Sequence, residues 1–128
     1  LSHPGVGCGY LATVRRDGGP RVHPINPFLA AGHLVAFIVP SPKLADLRRD
    51  GRYALHSAGA EDVDDEFYLA GRARLVADPE LRTASLAACP FPPGEDHVLV
   101  EFEVETALWA HYSRPPSWPP SYRKWSAH

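Results

Sequence analysis

Apolar and polar residues alternate in short runs along this chain, and helical spacing interrupts them twice. Residues 10–15 read as a strand, with Tyr10, Ala12 and Val14 on one face and Leu11, Thr13 and Arg15 on the other. Asp17-Gly18-Gly19-Pro20 is a tight turn, and residues 21–29 can pair back as a second strand. Its prolines, Pro24 and Pro27, cannot donate ladder hydrogen bonds, so this strand is expected to be bulged or at an edge. Ala31-Gly32 turns the chain again, and residues 34–39 form an apolar third strand. A helix follows. Ser41 can cap it, Pro42 suits its first position, and Leu44 and Leu47 share one face before Gly51 stops it. Residues 52–57 form a fourth strand.

The second half repeats this grammar at greater length. Residues 59–65 are an acidic loop with Glu61, Asp62, Asp64 and Asp65; it lacks EF-hand spacing and reads as solvated. Residues 66–77 form a long fifth strand, where Gly71 predicts a bulge or a close backbone approach. Asp78-Pro79 caps a second helix that ends near Ala88, and Pro90 to Gly94 break it. Residues 97–112 alternate as a sixth strand: Val98, Val100, Phe102 and Val104 on one face, Leu99, Glu101, Glu103 and Glu105 on the other. The tail, 115–128, is too rich in Pro to be expected regular. Six short strands and two small helices predict a mainly β protein, an antiparallel barrel whose gaps the helices fill. The whole chain, 1–128, reads as one domain.

Composition narrows the function classes. Hydrophobic residues are 45% and charged residues 22%, as in an ordinary globular protein, and the net charge of −2 gives no basic excess for nucleic acid. No apolar run is long enough to span a membrane. Leu1 is not a natural first residue, which leaves residues before it open; those present do not read as a signal peptide. Cys8 and Cys89 are too few for a disulfide framework and fit a cytoplasmic protein. The seven histidines show no HxxxH or HExxH spacing, so no metal site is expected.

The candidate chemistry centres on Ser41-Pro42-Lys43. A cation in a helix's first turn opposes the helix dipole, and the mismatch makes sense if an anion binds there. Exposed N–H groups, a hydroxyl and an ammonium together suit a phosphate. A solvated surface lysine is the plainer alternative.

The ordered set of segments resembles a known family. Gly19-Pro20-Arg21-Val22 in a hairpin is followed by an apolar strand and the Ser-x-Lys helix. Arg48-Arg49-Asp50-Gly51-Arg52 comes next, then Leu69-Ala70-Gly71-Arg72-Ala73-Arg74-Leu75-Val76. Over residues 9–110 this is similar to the flavin-binding split barrel of the pyridoxamine 5′-phosphate oxidase-like superfamily, in the style of its short actinobacterial members. Some of those use FMN and some the deazaflavin F420. The resemblance implies a six-stranded antiparallel split β-barrel with two short helices. It also implies a homodimer with FMN, or alternatively F420, at the interface, and a small-molecule substrate. Arg21 would reach the cofactor phosphate, and Val22, His23, Pro24, Ile25 and Asn26 would line the ring. Ser41 and Lys43 would also grip the phosphate, with Pro42 where the family has a second Arg. Glu66 stands where a ring-contacting Gln is usual. The Arg-Leu-x-Pro tail of the true pyridoxamine phosphate oxidases is missing, so pyridoxal phosphate synthesis is not expected.

The residues themselves leave alternatives open. Arg21 also reads as an exposed strand arginine, His23 and His56 as structural histidines. Trp109, Tyr112, Trp118, Tyr122 and Trp125 either stack over a ring or pin the tail. No nucleophile with a paired base is evident and no catalytic residue is identified, which fits an oxidoreductase whose cofactor carries the chemistry. The alternatives are a non-catalytic flavin- or haem-binding protein of the same fold, with His23, His97 and His111 as haem candidates, and a barrel that takes another phosphorylated ligand or only a protein partner.

Overall fold

Strand alternation and turn residues build most of the molecule. The computed structural model describes residues 8–57, 65–90, 92–111 and 121–127. Strands β1 (Gly9–Val14) and β2 (Pro20–Ile25) form the first hairpin, whose turn places Gly18 at φ 88°. Then come β3 (Phe28–Ala30), β4 (His33–Ile38), helix α1 (Pro42–Arg49), β5 (Arg52–Ser57), β6 (Asp65–Leu75), helix α2 (Pro79–Ala88), β7 (Val98–His111) and β8 (Ser121–Ser126). Both helices start where their sequences predict, with Pro at the first position, but Ser41 does not cap α1, because its hydroxyl is bonded to the Val39 carbonyl instead. The Asp78 side chain accepts from the Glu80 N–H at 3.1 Å. The acidic residues expected at 59–64 and the tail residues 112–120, Tyr112 and Trp118 among them, lie outside the described residues.

Among the described residues the sheet has eight antiparallel strands where six are expected. Two differences account for this. The expected second strand, 21–29, is two: β2 pairs with β1, and after Asn26-Pro27 β3 pairs with β4. Pro27 has no N–H to continue a ladder. The tail, expected to be irregular, contributes β8, which pairs with β7 from Thr106↔Ser126 to His111↔Ser121. The prolines of the tail precede this segment, and β4 covers only Val98 to Glu101 of that β7 edge, which leaves the rest open for β8.

The strand order, β2-β1-β5-β6-β7-β4-β3, makes the two end strands neighbours in sequence. Seven flat strands would hold them about 29 Å apart. The Asn26-Pro27 link reaches at most about 11 Å. The sheet must therefore curl until its ends meet, and this makes it a barrel split at that seam.

The interior holds Leu11, Ile25, Ile38, Leu55, Val100 and Phe102, with Leu44 and Leu47 of α1 packed into it. Each of these two leucines is 3% exposed, a burial worth about 2 kcal/mol apiece. Helix α2 covers a second cluster on the outside, where Leu81 meets Phe28, Val35 and Leu99. At Gly71 the β6–β7 register shifts, and a Cβ there would sit 2.0 Å from the Glu103 carbonyl oxygen. The bulge read from this glycine is present. It reverses the inward parity of β7, so that Val98, Val100 and Phe102 face the core while Ala107 and Trp109 continue the same side beyond it. Among the described residues no helix is long and apolar enough to cross a membrane.

Candidate functional site

The start of α1 and the seam of the barrel meet at one corner. Pro24, Ile25 and Asn26 leave β2 there, Val39 leaves β4, and Lys43 projects from the first helical turn. With Phe28, Phe37 and Cys89 they line a pocket of about 160 Å³. Ser41 is extended, at φ −168° and ψ 167°, and caps no helical N–H. Its Oγ donates instead to the Val39 carbonyl at 2.8 Å. The first turn of α1 carries no acidic residue. Lys43 is half-buried and has no ion pair among the described residues. The Lys43 side chain thus lines this small space at a helix start that has no side-chain cap, a setting that suits an anion.

A second cleft lies across Pro42. Arg15, Arg16, Arg21 and Arg49 line it with Asp17 and Asp46, around about 410 Å³. Asp46 organises it. This carboxylate is 2% exposed, and its Oδ2 accepts from Thr13 Oγ1 at 2.7 Å and from Arg21 Nε at 2.8 Å. Its Oδ1 accepts from Arg49 Nη2 at 3.2 Å. Burial pushes the Asp46 carboxyl up, but the hydrogen bonds from Arg21, Thr13 and Arg49 outweigh it and hold the group below its ordinary value. Arg21 can reach α1 because it shares the inner face of β2 with Ile25, opposite Thr13.

The other site residues read from the sequence are spread out. His23, half-buried, lies between Arg21 and Ile25 on that inner face. Val22 and Pro24 point outward, and Val22 is 59% exposed. Glu66 stands exposed on β6, its Oε2 3.9 Å from His56 Nε2. Pro24, Asn26 and Lys43 therefore share the corner pocket, Arg21 lines the neighbouring cleft, and Glu66 is at neither.

Two charged clusters have no counterpart in the sequence reading. Asp46 is one. The other is Glu101, 7% exposed, which His33 and Arg74 both approach from the outer face of β7. Neither residue breaks a local pattern; each is explained only by partners distant in sequence. A third group, Asp65, joins residues that the sequence left apart. It accepts from Trp109 Nε1 at 3.0 Å and bonds His111 Nδ1. The bond to His111 is the main reason its carboxyl lies below the ordinary value. Phe67 stacks on Trp109 at 6.3 Å, and Arg123 lies over the Trp109 ring at 5.5 Å.

The register also aligns an apolar outer face. Pro24, Tyr10, His56, Tyr68 and Leu108 form one row across five strands. Val22, Ala12, Ala54 and Ala70 form the next. Tyr10 is 49% exposed and Tyr68 39%. Helix α1 packs inside the barrel and α2 over β3 and β4, so neither covers these rows.

No protein-family model matches the chain, and no curated protein matches it. Solved structures do. A heme binding protein from Mycobacterium smegmatis superposes with a TM-score of 0.72 at 21% identity, over 96% of this chain and 54% of that one. HutZ, the heme storage protein from Vibrio cholerae, gives 0.65 at 14% identity, over 77% of this chain and 82% of that one. An F420 reductase gives 0.60 at 20% identity, over 79% and 88%. The chain thus spans about half the length of the mycobacterial protein. These likenesses define the class by fold alone: a curled, antiparallel split β-barrel. Within that class, similar barrels include proteins named for heme and for F420.

Proposed function

We propose that this chain binds a phosphate-bearing flavin, FMN or the deazaflavin F420, and works as an oxidoreductase on a small molecule in the cytoplasm. The observation that carries the reading is the convergence of Pro24, Asn26 and Lys43 on one pocket at an uncapped helix start. In this reading Lys43 and the first amides of α1 hold the phosphate, and Pro24 and Asn26 border the ring. The bound flavin supplies the hydride chemistry. The residues present fit such a group at its phosphate end, where Lys43 lacks a partner carboxylate among the described residues.

A pocket of about 160 Å³ is smaller than ligand sites usually are. The remainder of the cleft is assigned to a second copy. Pro24 belongs both to the pocket and to the uncovered apolar face, so a copy docked on that face would close over the pocket. A contiguous apolar face of this kind favours association in water. In the homodimer Val22 would lie at the interface. His23, on the inner face, would keep a structural place, and Arg21 would act on the cofactor only through its neighbouring cleft.

The second reading is a non-catalytic haem binder of the same fold. His111 favours it among the candidate histidines. Asp65 holds its Nδ1, which leaves Nε2 for a ligand, and Trp109 and Phe67 offer a flat apolar wall beside it.

Titration of the purified protein with FMN, F420 and hemin side by side separates these readings. Micromolar binding of FMN or F420 that Lys43→Ala weakens is expected. Tight binding of hemin alone, lost in His111→Ala, would replace the first reading with the second.

A further inference from the structure

We propose that the groove where the end of α1 meets β6 is a binding site for an organic anion that joins a carboxylate or phosphate head to an apolar body. The site is independent of the flavin reading. The groove encloses about 640 Å³, the size of a small-ligand site. Its wall is apolar: Leu47 and Ala73 belong to the core, and Leu75 packs against it. Its rim is basic, with Arg48 from α1 and Arg72 and Arg74 from β6 set against the Glu103 carboxylate.

The groove exists because β6 runs past the start of β5. The β5 ladder begins at Arg52, opposite Arg72, and the Ala73 N–H still donates to the Gly51 carbonyl at 2.7 Å. Beyond that bond Arg74 and Leu75 have no strand on this side among the described residues, and the last turn of α1 stands there instead. The approach at Gly51 is close: a Cβ there would sit 2.7 Å from the Ala73 carbonyl oxygen. Backbone contact thus fixes the two walls against each other. This end of α1 is also remote from the corner pocket. Arg48 follows Lys43 by five residues, about 7.5 Å along the helix axis and about 140° around it. Strands β1 and β5 separate β6 from β2, about 14 Å of sheet. The flavin reading runs from Lys43 to Pro24 and Asn26 across the seam, and none of these lines the groove.

Arg72 is left over by the pairing around it. On one side it stands opposite Arg52, a like charge, which a sheet does not favour. Asp50, near both arginines, hydrogen-bonds only Arg52, from Nε at 3.0 Å and Nη2 at 2.6 Å. On the other side Arg72 stands opposite Glu103, which instead pairs with Arg74 Nε at 3.2 Å. Arg74 is also bonded to Glu101, so its guanidinium is held in place. Arg48 and Arg72, both exposed, make no hydrogen bond or ion pair among the described residues. Arg48 complements the negative end of α1, whereas Arg72 answers no such need. Free guanidinium forks match carboxylate and phosphate oxygens in pairs, and the apolar wall beneath them receives the body that carries such a head.

The test uses the full chain with octanoate and octyl phosphate as probes, below their micelle-forming concentrations, by calorimetry and thermal shift. Acetate and inorganic phosphate at equal ionic strength supply the same heads without the body. At least one octyl probe should bind and raise the melting temperature where its short counterpart does not. Binding of octanoate alone would assign a carboxylate head to the ligand, and binding of octyl phosphate alone a phosphate head. The double variant Arg48→Ala/Arg72→Ala, at two exposed side chains, should lose roughly tenfold or more in probe affinity. Arg48→Lys/Arg72→Lys should recover part of that loss, and Lys43→Ala should keep the probe. Equal effects of the octyl probes and the short anions would overturn the proposal. Probe binding that the double variant keeps in full would also overturn it. So would a loss of FMN affinity in the double variant as large as its loss of probe affinity, which would make the groove part of the cofactor site while leaving the flavin reading intact.

Discussion

Arg21 Nε lies 2.8 Å from Asp46 Oδ2, and this contact joins the second strand to the first helix across 25 residues of sequence. Thr13 donates to the same oxygen from the first strand. Three elements are thus held by one carboxylate at the mouth of the barrel. Removing it leaves Thr13 and two arginines without their acceptor. Asp46→Ala should cost about 3 kcal/mol of unfolding free energy, measured by urea denaturation. A loss within experimental error would show that the carboxylate does not hold the helix.

The same group gives stability a pH dependence. The folded pKa of Asp46 lies below the ordinary value of 3.8. Its contribution is therefore fully present above that unfolded value and is lost as pH falls through the folded one. Melting temperatures recorded from pH 6 down to pH 3 should fall more steeply in the parent than in Asp46→Asn. Parallel curves would assign the acid sensitivity to other carboxylates, such as Asp50, which Arg52 lowers to about 2.

Lys43→Ala should weaken FMN binding by roughly 10- to 100-fold, the worth of one charge-assisted hydrogen bond. Riboflavin, which lacks the phosphate, should bind the parent weakly and change little. Fluorescence quenching of both ligands on both proteins makes the comparison. Equal losses for FMN and riboflavin would mean that Lys43 does not hold the phosphate.

A charge on the uncovered face should block association. Val22 and Tyr68 are exposed and make no contribution to the interior clusters. Val22→Glu or Tyr68→Glu should turn a dimer into a folded monomer in sedimentation at micromolar concentration. A parent protein that already sediments as a monomer would remove both the interface and the shared cleft.

Gly71→Ala tests the bulge. Its Cβ would meet the Glu103 carbonyl oxygen at 2.0 Å and the Glu105 nitrogen at 2.9 Å, both backbone atoms of the neighbouring strand. Overpacking of this kind costs about 3 kcal/mol. By contrast Ala31→Gly, at an exposed turn residue with φ 51°, should stabilise by about 1 kcal/mol through relief of left-handed strain. Thermal unfolding of the two variants should shift in opposite directions.

The sequence by itself determined what is satisfied within a few residues. Pro42 and Pro79 begin helices because a residue without N–H suits the first turn, and at the second helix Asp78 adds a side-chain cap. Gly18 and Gly32 turn hairpins at positive φ, and Gly71 admits a neighbouring backbone. Strand alternation placed Leu11, Val100 and Phe102 in the core. Only the tertiary structure decided the rest. Pro27 ends a strand in any context, but the transfer of β3 to the opposite end of the sheet depends on β4 offering it an edge. The tail becomes β8 because β4 is too short to cover β7. The family resemblance implies that Arg21 and Lys43 grip one phosphate; the curl of the sheet turns Arg21 inward to Asp46 and leaves Lys43 at the seam. The physical reason is range. Caps and turns are contacts across two to four residues, whereas the Thr13 and Arg21 bonds to Asp46 span 33 and 25, and no local pattern encodes which distant side chain will arrive.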